Sequence, residues 1–328
     1  MAKYIGKRFL YMVILLAIMS VFAFIVIQLP PGDYLTSYIS NLEQQMGGEV
    51  DASVIEALKA RYGMDKPMWE QYFLWIRNMF QGDFGQSFQW QMPVKDLLFS
   101  YMPMTVMLSL ITLVFSYAVA VPIGIYSARH QYSIGDYTAS VFGFIGLATP
   151  SFFLALVLMY YANQYLGLSV GGFFSPEYVN APWSIDKFWD LCKHLIIPVV
   201  VIGLQSMANI IRILRASLLD ELKRPYVVAA RARGLKENKM IYKFPVRVAL
   251  NPIISSIGSV LPSIVSGATV TAIVLNIPTV GSLLYNALLS QDMYLAGGSI
   301  LFLTMLTIVG MFISDVLLVV VDPRIRLQ

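Results

Sequence analysis

The sequence predicts an all-α membrane protein with six transmembrane helices and both termini in the cytoplasm. Three observations carry this expectation. First, the chain is too apolar for a soluble surface: 57% of its 328 residues are hydrophobic and 13% are charged, against about 25% charged in soluble domains. Second, six runs are long enough to cross a hydrocarbon layer, which takes about 20 mostly apolar residues. Third, Lys and Arg concentrate in alternate loops, as the positive-inside rule requires.

The six runs lie near Phe9–Gln28, Met104–Ala128, Tyr137–Leu166, Leu195–Leu214, Pro252–Leu275 and Gly298–Val321. Lys3, Lys7 and Arg8 precede the first run, in the manner of a signal peptide. That run is too long for a signal core and no small-residue cleavage site follows, so it reads as a retained span. With the N-terminus inside, 16 of 23 basic residues fall on the cytoplasmic side, ten of them between Arg212 and Arg247. The acids lean the other way, with 13 of 19 outside.

The chain divides into residues 1–29 (the first span), 30–100 (an extracytoplasmic helical region) and 101–328 (a five-helix core with a cytoplasmic loop at 219–250). In the second part, Ala52–Arg61 has helical spacing, with Val54, Ile55, Leu58 and Tyr62 on one side. Met68–Phe80 is aromatic, with Trp69, Tyr72, Phe73, Trp75 and Phe80. Such rings favour the membrane–water interface. The region reads as a small cap packed on the bundle, with direct substrate or partner contact as the alternative. There is no internal repeat and no low-complexity tract.

The same composition argues against catalysis. Cys192 is the single cysteine, so no disulfide within the chain and no Cys-based metal site is expected. His130 and His194 lie far apart and follow no ligand spacing. No catalytic residues pair at one membrane depth, and no nucleic-acid partner is expected. No G-x-x-x-x-G-K-[ST] occurs, so nothing cradles ATP phosphates. Energy for any transport has to come from elsewhere.

The loop from Asp220 to Leu250 is the most informative stretch. Pro225 suits a first helical turn, where its missing N–H costs nothing. Tyr226–Arg233 follow as helix formers, with small Ala229, Ala230 and Ala232. Gly234 is placed to stop the helix, because glycine takes the left-handed conformation cheaply. Leu235–Lys243 then form a second short helix. Charge alone would satisfy the positive-inside rule. Apolar Leu235, Met240, Ile241 and Phe244 among the charges point instead to an ordered helix–break–helix projection.

At these residues the chain resembles the membrane permeases of ABC importers. Their cytoplasmic loop reads Glu-Ala-Ala, three residues, Gly, then Ile-x-Leu-Pro. Val228-Ala229-Ala230 and Gly234 match the first part, with Val228 in place of the acid. Phe244-Pro245-Val246-Arg247 stands where Ile-x-Leu-Pro would be. Both departures are usual in the dipeptide/oligopeptide/nickel branch, whose Ala-Arg-Ala-Lys-Gly is similar to Arg231-Ala232-Arg233-Gly234-Leu235. Further similar stretches run along the chain: Pro31-Gly32-Asp33, Tyr62–Pro67, Gly82–Ser87, Pro93-Val94, Pro122-Ile123-Gly124, Pro150-Ser151-Phe152 and Asp322–Arg326. The chain departs from the branch at an insertion around Asn41–Asp51. It departs again at Pro278-Thr279-Val280-Gly281, where Pro-Gly-x-Gly is common.

The resemblance is to the first-permease, B-type subunit, and it implies the type I ABC importer permease fold. It also implies a non-catalytic chain that forms half of a translocation pathway. A second permease, expected to be a different homologous chain, would complete the pathway. Two ATPase subunits would bind ATP and Mg, leaving this chain without a cofactor. An extracytoplasmic binding protein would deliver the solute, and membrane lipid would surround the bundle. Ala229, Ala230 and Gly234 would sit in an ATPase cleft, flanked by Arg231, Arg233 and Leu235. A peptide is the first expectation for the solute, with an oligosaccharide or nickel as alternatives. An ATP-independent secondary carrier is the competing class, and it would call for inverted repeats.

Two features inside the spans invite a role. Ser255, Ser259, Ser263 and Gly267 recur every four residues in the fifth run. Such a stripe serves close helix packing or lines a polar pathway, with Asn276 and Thr279 near its outer end as gate residues. Asp315 is the one acid well inside a run, a costly placement that fits a hydrogen-bonding role or a proton-coupling site. Asp136 and Asp322 read as helix caps. Cys192 and His194 read as interfacial fillers.

Overall fold

The computed structural model describes residues 2–28, 66–87, 89–167 and 171–321, with isolated positions between 39 and 56. The Asn41–Asp51 insertion and the Ala52–Arg61 helix fall largely outside the described residues, and Pro31–Asp33, Asp322 and the chain end wholly so. Among the described residues there are twelve helices and no strand. They are α1 (Ala2–Gln28), α2 (Met68–Phe80), α3 (Val94–Arg129), α4 (Ile134–Ala148), α5 (Ser151–Leu166) and α6 (Ile185–Leu222). There follow α7 (Pro225–Ala232), α8 (Glu237–Lys243), α9 (Pro245–Ala249), α10 (Asn251–Val274), α11 (Val280–Leu289) and α12 (Met293–Val321).

Four segments are long and apolar enough to cross a membrane: Ile5–Gln28, Val94–Arg129, Ile185–Leu222 and Met293–Leu317. Two bent pairs raise the count to six: Ile134–Ala148 with Ser151–Tyr165, and Glu237–Gly258 with Ser263–Val274. The third predicted run is therefore not one helix, since α4 and α5 meet at 107°. The cause is Pro150. A proline drives the residue before it out of the helical region, and Thr149 is extended at φ −91°, ψ 125°. Pro150 then caps α5 at φ −59°, ψ 133°.

The chain forms two compact units, residues 1–12, 105–278 and 307–328, and residues 13–104 with 279–306. In the first unit α6 is central, packed by α4, α5, α9 and α10. One of its faces is buried through Gly203, Met207, Ile210, Leu214 and Leu218, a helical spacing that keeps one stripe inward. Small residues set how closely the neighbours approach. A Cβ added at Gly146 of α4 would lie 2.6 Å from Leu204 Cγ of α6, and one at Gly124 of α3 would lie 3.1 Å from Leu214. At Gly143 the contact is looser, 3.5 Å to Ala208 Cβ.

Hydroxyls tie further helices together within this unit. Tyr117 Oη of α3 donates to Ile253 O at 3.2 Å and meets Ser256 Oγ at 3.1 Å, both on α10. Ser314 Oγ of α12 donates to Ile254 O at 3.1 Å. Below α6, the short helices α7 to α9 fold against the bundle. Val227, Ala230, Met240, Ile241, Val246 and Ala249 join Ile210, Leu214 and Leu218 in one buried cluster.

In the second unit the aromatic stretch Met68–Phe80 is a helix that packs on α1. Trp75 is buried beside Phe24, ring centroids 5.7 Å apart, and Tyr72 Oη meets Ser20 Oγ at 2.7 Å. Trp69, Phe73 and Phe80 stay exposed. Gly85 has φ +89°, and a Cβ there would come 2.5 Å from the Tyr294 ring. That close approach and left-handed backbone both require glycine. Buried Asp292 accepts from Ser87 Oγ and from Leu295 N, which closes the start of α12.

These contacts predict opposite outcomes for two neighbouring glycines. Gly146→Ala should lower the thermal unfolding midpoint in detergent, losing about 1–3 kcal/mol to overpacking. Gly143→Ala should leave the midpoint unchanged or raise it, because alanine favours a helix by about 1 kcal/mol. Equal behaviour of the two variants would contradict the close α4–α6 approach.

Candidate functional site: a polar cleft above a helical hairpin

A cleft of about 350 Å³ opens among α4, α5, α6 and α10. Its polar lining is Ser151 from α5, Gln205, Ser206 and Asn209 from α6, and Ser263 from α10. Leu147, Ile202, Val260 and Gly267 complete it, so none of its lining side chains is charged. Gln205, Ser206 and Asn209 occupy one helical turn, on the opposite side of α6 from the packed stripe. The break at Pro150 brings Ser151 to the cleft, where Thr271 Oγ1 donates to Ser151 Oγ at 3.1 Å.

The serine stripe of the fifth run is split by the fold. Ser263 and Gly267 reach the cleft, and nothing lies within 4 Å of where a Gly267 Cβ would stand. Gly267 therefore keeps space open rather than admitting a neighbouring helix. Ser255 is exposed and donates to Asn251 O at 3.0 Å, away from the cleft. The side chain of Ser259 lies outside the described residues. Asn276 takes φ +52° and ends α10, with its N–H donating to Ile273 O at 3.1 Å and that of Ile277 to Ala272 O at 2.7 Å. This pair of bonds is a Schellman C-cap. Thr279 forms a capping box with Ser282 at the start of α11.

Sequence reasoning missed the α6 wall. The signal was present: Gln205, Ser206 and Asn209 are polar and share one turn of an otherwise apolar run, which is costly in hydrocarbon.

One reading of a charged group changes and two others gain defined partners. Asp136 is not a cap, because Ser133 caps α4 by accepting from Asp136 N. Its carboxylate is 2% exposed and takes Arg215 in a bidentate grip, Nε to Oδ1 at 2.8 Å and Nη2 to Oδ2 at 2.7 Å. Tyr132 N adds a third bond at 3.0 Å. His194 is buried, with Nδ1 2.9 Å from Asp190 O. Asp190 in turn accepts from Ser175 N and Ser175 Oγ, each at 2.7 Å. Asp315 has a partner in another helix, since Arg8 Nη1 of α1 lies 3.2 Å from its Oδ2. Cys192 is a free thiol of intermediate exposure.

The loop folds as its sequence suggests. Pro225 opens α7, Gly234 turns the chain at φ +75°, and α8 follows. Ala229, Arg231, Arg233, Gly234 and Leu235 are exposed. Ala230 is not: at 8% exposure it faces the chain's own buried cluster. The two alanines thus face opposite ways, one outward and one into the hairpin's support. Arg231 Nη2 lies 3.3 Å from Glu237 Oε1 across the turn, which links α7 to α8. Tyr226 Oη donates to Glu221 Oε2. Partial burial and that bond push the phenol up to about 12, so it remains a donor at any physiological pH.

A bundle of spanning helices with a neutral polar cleft and a structured basic hairpin at one end defines the membrane subunit of a transporter. The comparisons make the class specific. Residues 120–327 match the family described as the binding-protein-dependent transport system inner membrane component, and residues 1–109 match its N-terminal family. The chain is 32% identical to the oligopeptide transport system permease protein AppB of Bacillus subtilis, over 99% of this chain and all of that one. It is 32% identical to the oligopeptide transport system permease protein OppB of Haemophilus influenzae, with the same coverage. It is 28% identical to the nickel import system permease protein NikB of Staphylococcus aureus, over 99% of this chain and 92% of that one. The chain belongs to the family of binding-protein-dependent inner-membrane permeases of ABC importers. It is a non-catalytic, multi-pass subunit of the cytoplasmic membrane, of the peptide/nickel type.

The buried ion pair gives this region its own test. Arg215→Ala leaves the Asp136 carboxylate unpaired, and breaking such a pair costs about 3 kcal/mol. The variant should yield little folded protein on size-exclusion chromatography. Replacing both partners, as Asp136→Asn with Arg215→Met, should recover most of the folded yield. Wild-type stability of Arg215→Ala would show that the pair is dispensable.

Proposed function

We propose that this chain forms half of the membrane pathway for a peptide handed over by an extracytoplasmic binding protein. The cleft carries this reading. Its hydroxyls and side-chain amides are donors and acceptors of the kind that peptide N–H and C=O groups bond, and they do so without choosing a side-chain charge. The names of the two oligopeptide relatives support the same substrate class. Nickel is the second reading, favoured by the name of the 28% relative.

In this proposal the other half of the pathway is a homologous but different chain. Two ATPase subunits bind ATP and Mg and dock on the 219–250 hairpin, on the same side as both termini. Ala229 and Gly234 enter the ATPase cleft, Arg231, Arg233 and Leu235 flank the contact, and Ala230 sets the hairpin's position from behind. Membrane lipid covers the apolar residues of α1. Asp315 serves as the structural partner of Arg8 and moves no proton.

Connectivity supports the coupling mechanism. α6 supplies one wall of the cleft and leads into α7 after two residues, and α9 leads into α10, which supplies another wall. From Asn209 to the end of α6 at Leu222 is about 20 Å of helix at 1.5 Å per residue. A displacement of the hairpin by the ATPases would reach both walls through rigid helices, as rigid-body switching.

Two measurements test this. The full transporter in proteoliposomes should take up tripeptides with ATP inside, and ATP-dependent nickel uptake with no peptide uptake would overturn the reading. Gly234→Asp strains the turn at φ +75° by about 1 kcal/mol, a conformation that aspartate tolerates, and nothing lies near its Cβ position, so the variant should still insert and assemble. It should nonetheless lose at least tenfold of ATP-driven uptake, a cost of about 1.4 kcal/mol or more in coupling. Normal uptake by that variant would remove the hairpin from the mechanism.

A further inference from the structure

Arg212 lies on α6 three residues beyond Asn209, which lines the cleft. Its Nη2 donates to Asn209 Oδ1 at 2.9 Å. Helix side chains lean toward the N-terminus, and this bond draws the guanidinium back toward the cleft and away from the hairpin. A guanidinium has five N–H donors in a planar fork, and the bond to Asn209 uses one of them. Arg215, one turn further on, is a contrast: Asp136 occupies its fork on two nitrogens. Arg212 is exposed and has no acid within ion-pair distance among the described residues.

The neutral lining explains hydrogen bonding to peptide groups but supplies no preference for one end of a peptide. A lone cation beside Asn209 supplies one. We infer that Arg212 is a carboxylate-binding residue of the pathway, with its fork taking both oxygens of a peptide carboxylate while Asn209, Ser206 and Gln205 bond the adjoining peptide groups. Bidentate guanidinium–carboxylate geometry is strong and directional, and Arg212 is already oriented by Asn209. The carboxylate is the peptide's C-terminus or an Asp or Glu side chain. The inference rests on the peptide reading of the cleft.

The test uses the complete transporter in proteoliposomes, with binding protein saturated by each probe. The probes are trialanine, trialanine amide and Ala-Asp-Ala amide. The wild type should take up trialanine about tenfold faster than its amide, the scale of one charge-assisted hydrogen bond. Arg212→Gln should lose that advantage and leave the amide's rate unchanged, while Arg212→Lys should keep part of it. An arginine-dependent advantage confined to trialanine assigns the site to the C-terminus. An advantage shared by Ala-Asp-Ala amide shows that any carboxylate is taken. Equal wild-type rates for acid and amide would overturn the inference even if Arg212→Gln failed to assemble. So would an equal loss for both probes in Arg212→Gln. No uptake of either probe by the wild type would overturn the peptide reading, and this inference with it.

Discussion

The grip of Arg215 on Asp136 fixes the register of α4 against α6, and the cleft depends on that register. Removing two charges from water costs several kcal/mol per ion, so such a pair contributes little net stability. Its effect is on geometry. A bidentate fork with both bonds below 3 Å admits one relative position of the α3–α4 turn and α6. From Asp136, Gly143 and Gly146 follow at seven and ten residues on the same helical face. They meet Ala208 and Leu204, so the close approach begins at the ion pair and runs on by small-residue packing. α4 then ends at Pro150, and the 107° bend carries Ser151 to the cleft.

α6 serves two purposes on two faces. The stripe of Gly203, Met207, Ile210, Leu214 and Leu218 packs, and the turn of Gln205, Ser206 and Asn209 opens to the cleft. The packed stripe continues down to Val227 and Ala230 of the hairpin. Because the hairpin buries Met240, Ile241 and Val246 on the foot of α6, it cannot swing independently of the helix without exposing that surface. Burial stabilises by about 25 cal/mol per Å² of apolar surface, so separating the hairpin from α6 carries that cost for each of these side chains.

Much of this was legible in sequence. Hydropathy located the six long apolar segments but not the shorter apolar helix Val280–Leu289, and Pro225, Gly234 and the apolar residues between charges marked the hairpin's two helices. What was not legible depended on tertiary context. Tyr137–Leu166 is uniformly apolar, and hydropathy alone does not register a break that one Thr-Pro step imposes. Asp136 sits three residues after Ser133, where capping is the local expectation, and only the position of Arg215, 79 residues away, shows otherwise. The small-residue stripe drew attention to α10, yet which side of a helix faces a cleft is decided by the helices around it. Asn276 was singled out by its place near the outer end of the fifth run, and sequence alone did not show that it also ends α10, in the left-handed conformation that asparagine tolerates.

The polar side chains of the first unit fall into one set that holds helices together and another that lines the cleft. Asp136, Asp190, Tyr117 and Ser314 are bonded to defined neighbours and hold helices together. The cleft holds only hydroxyls and amides, and no ion. A pathway must bind its solute well enough to receive it and weakly enough to release it. Neutral hydrogen bonds contribute about 0.5–1.5 kcal/mol each, so a few of them guide a solute without trapping it. A row of paired charges along the same wall would bind an ionic solute too tightly, or demand that each ion be desolvated at several kcal/mol. A cleft lined by neutral polar groups, as this one is with Gln205, Ser206 and Asn209 on one face of α6, meets that condition.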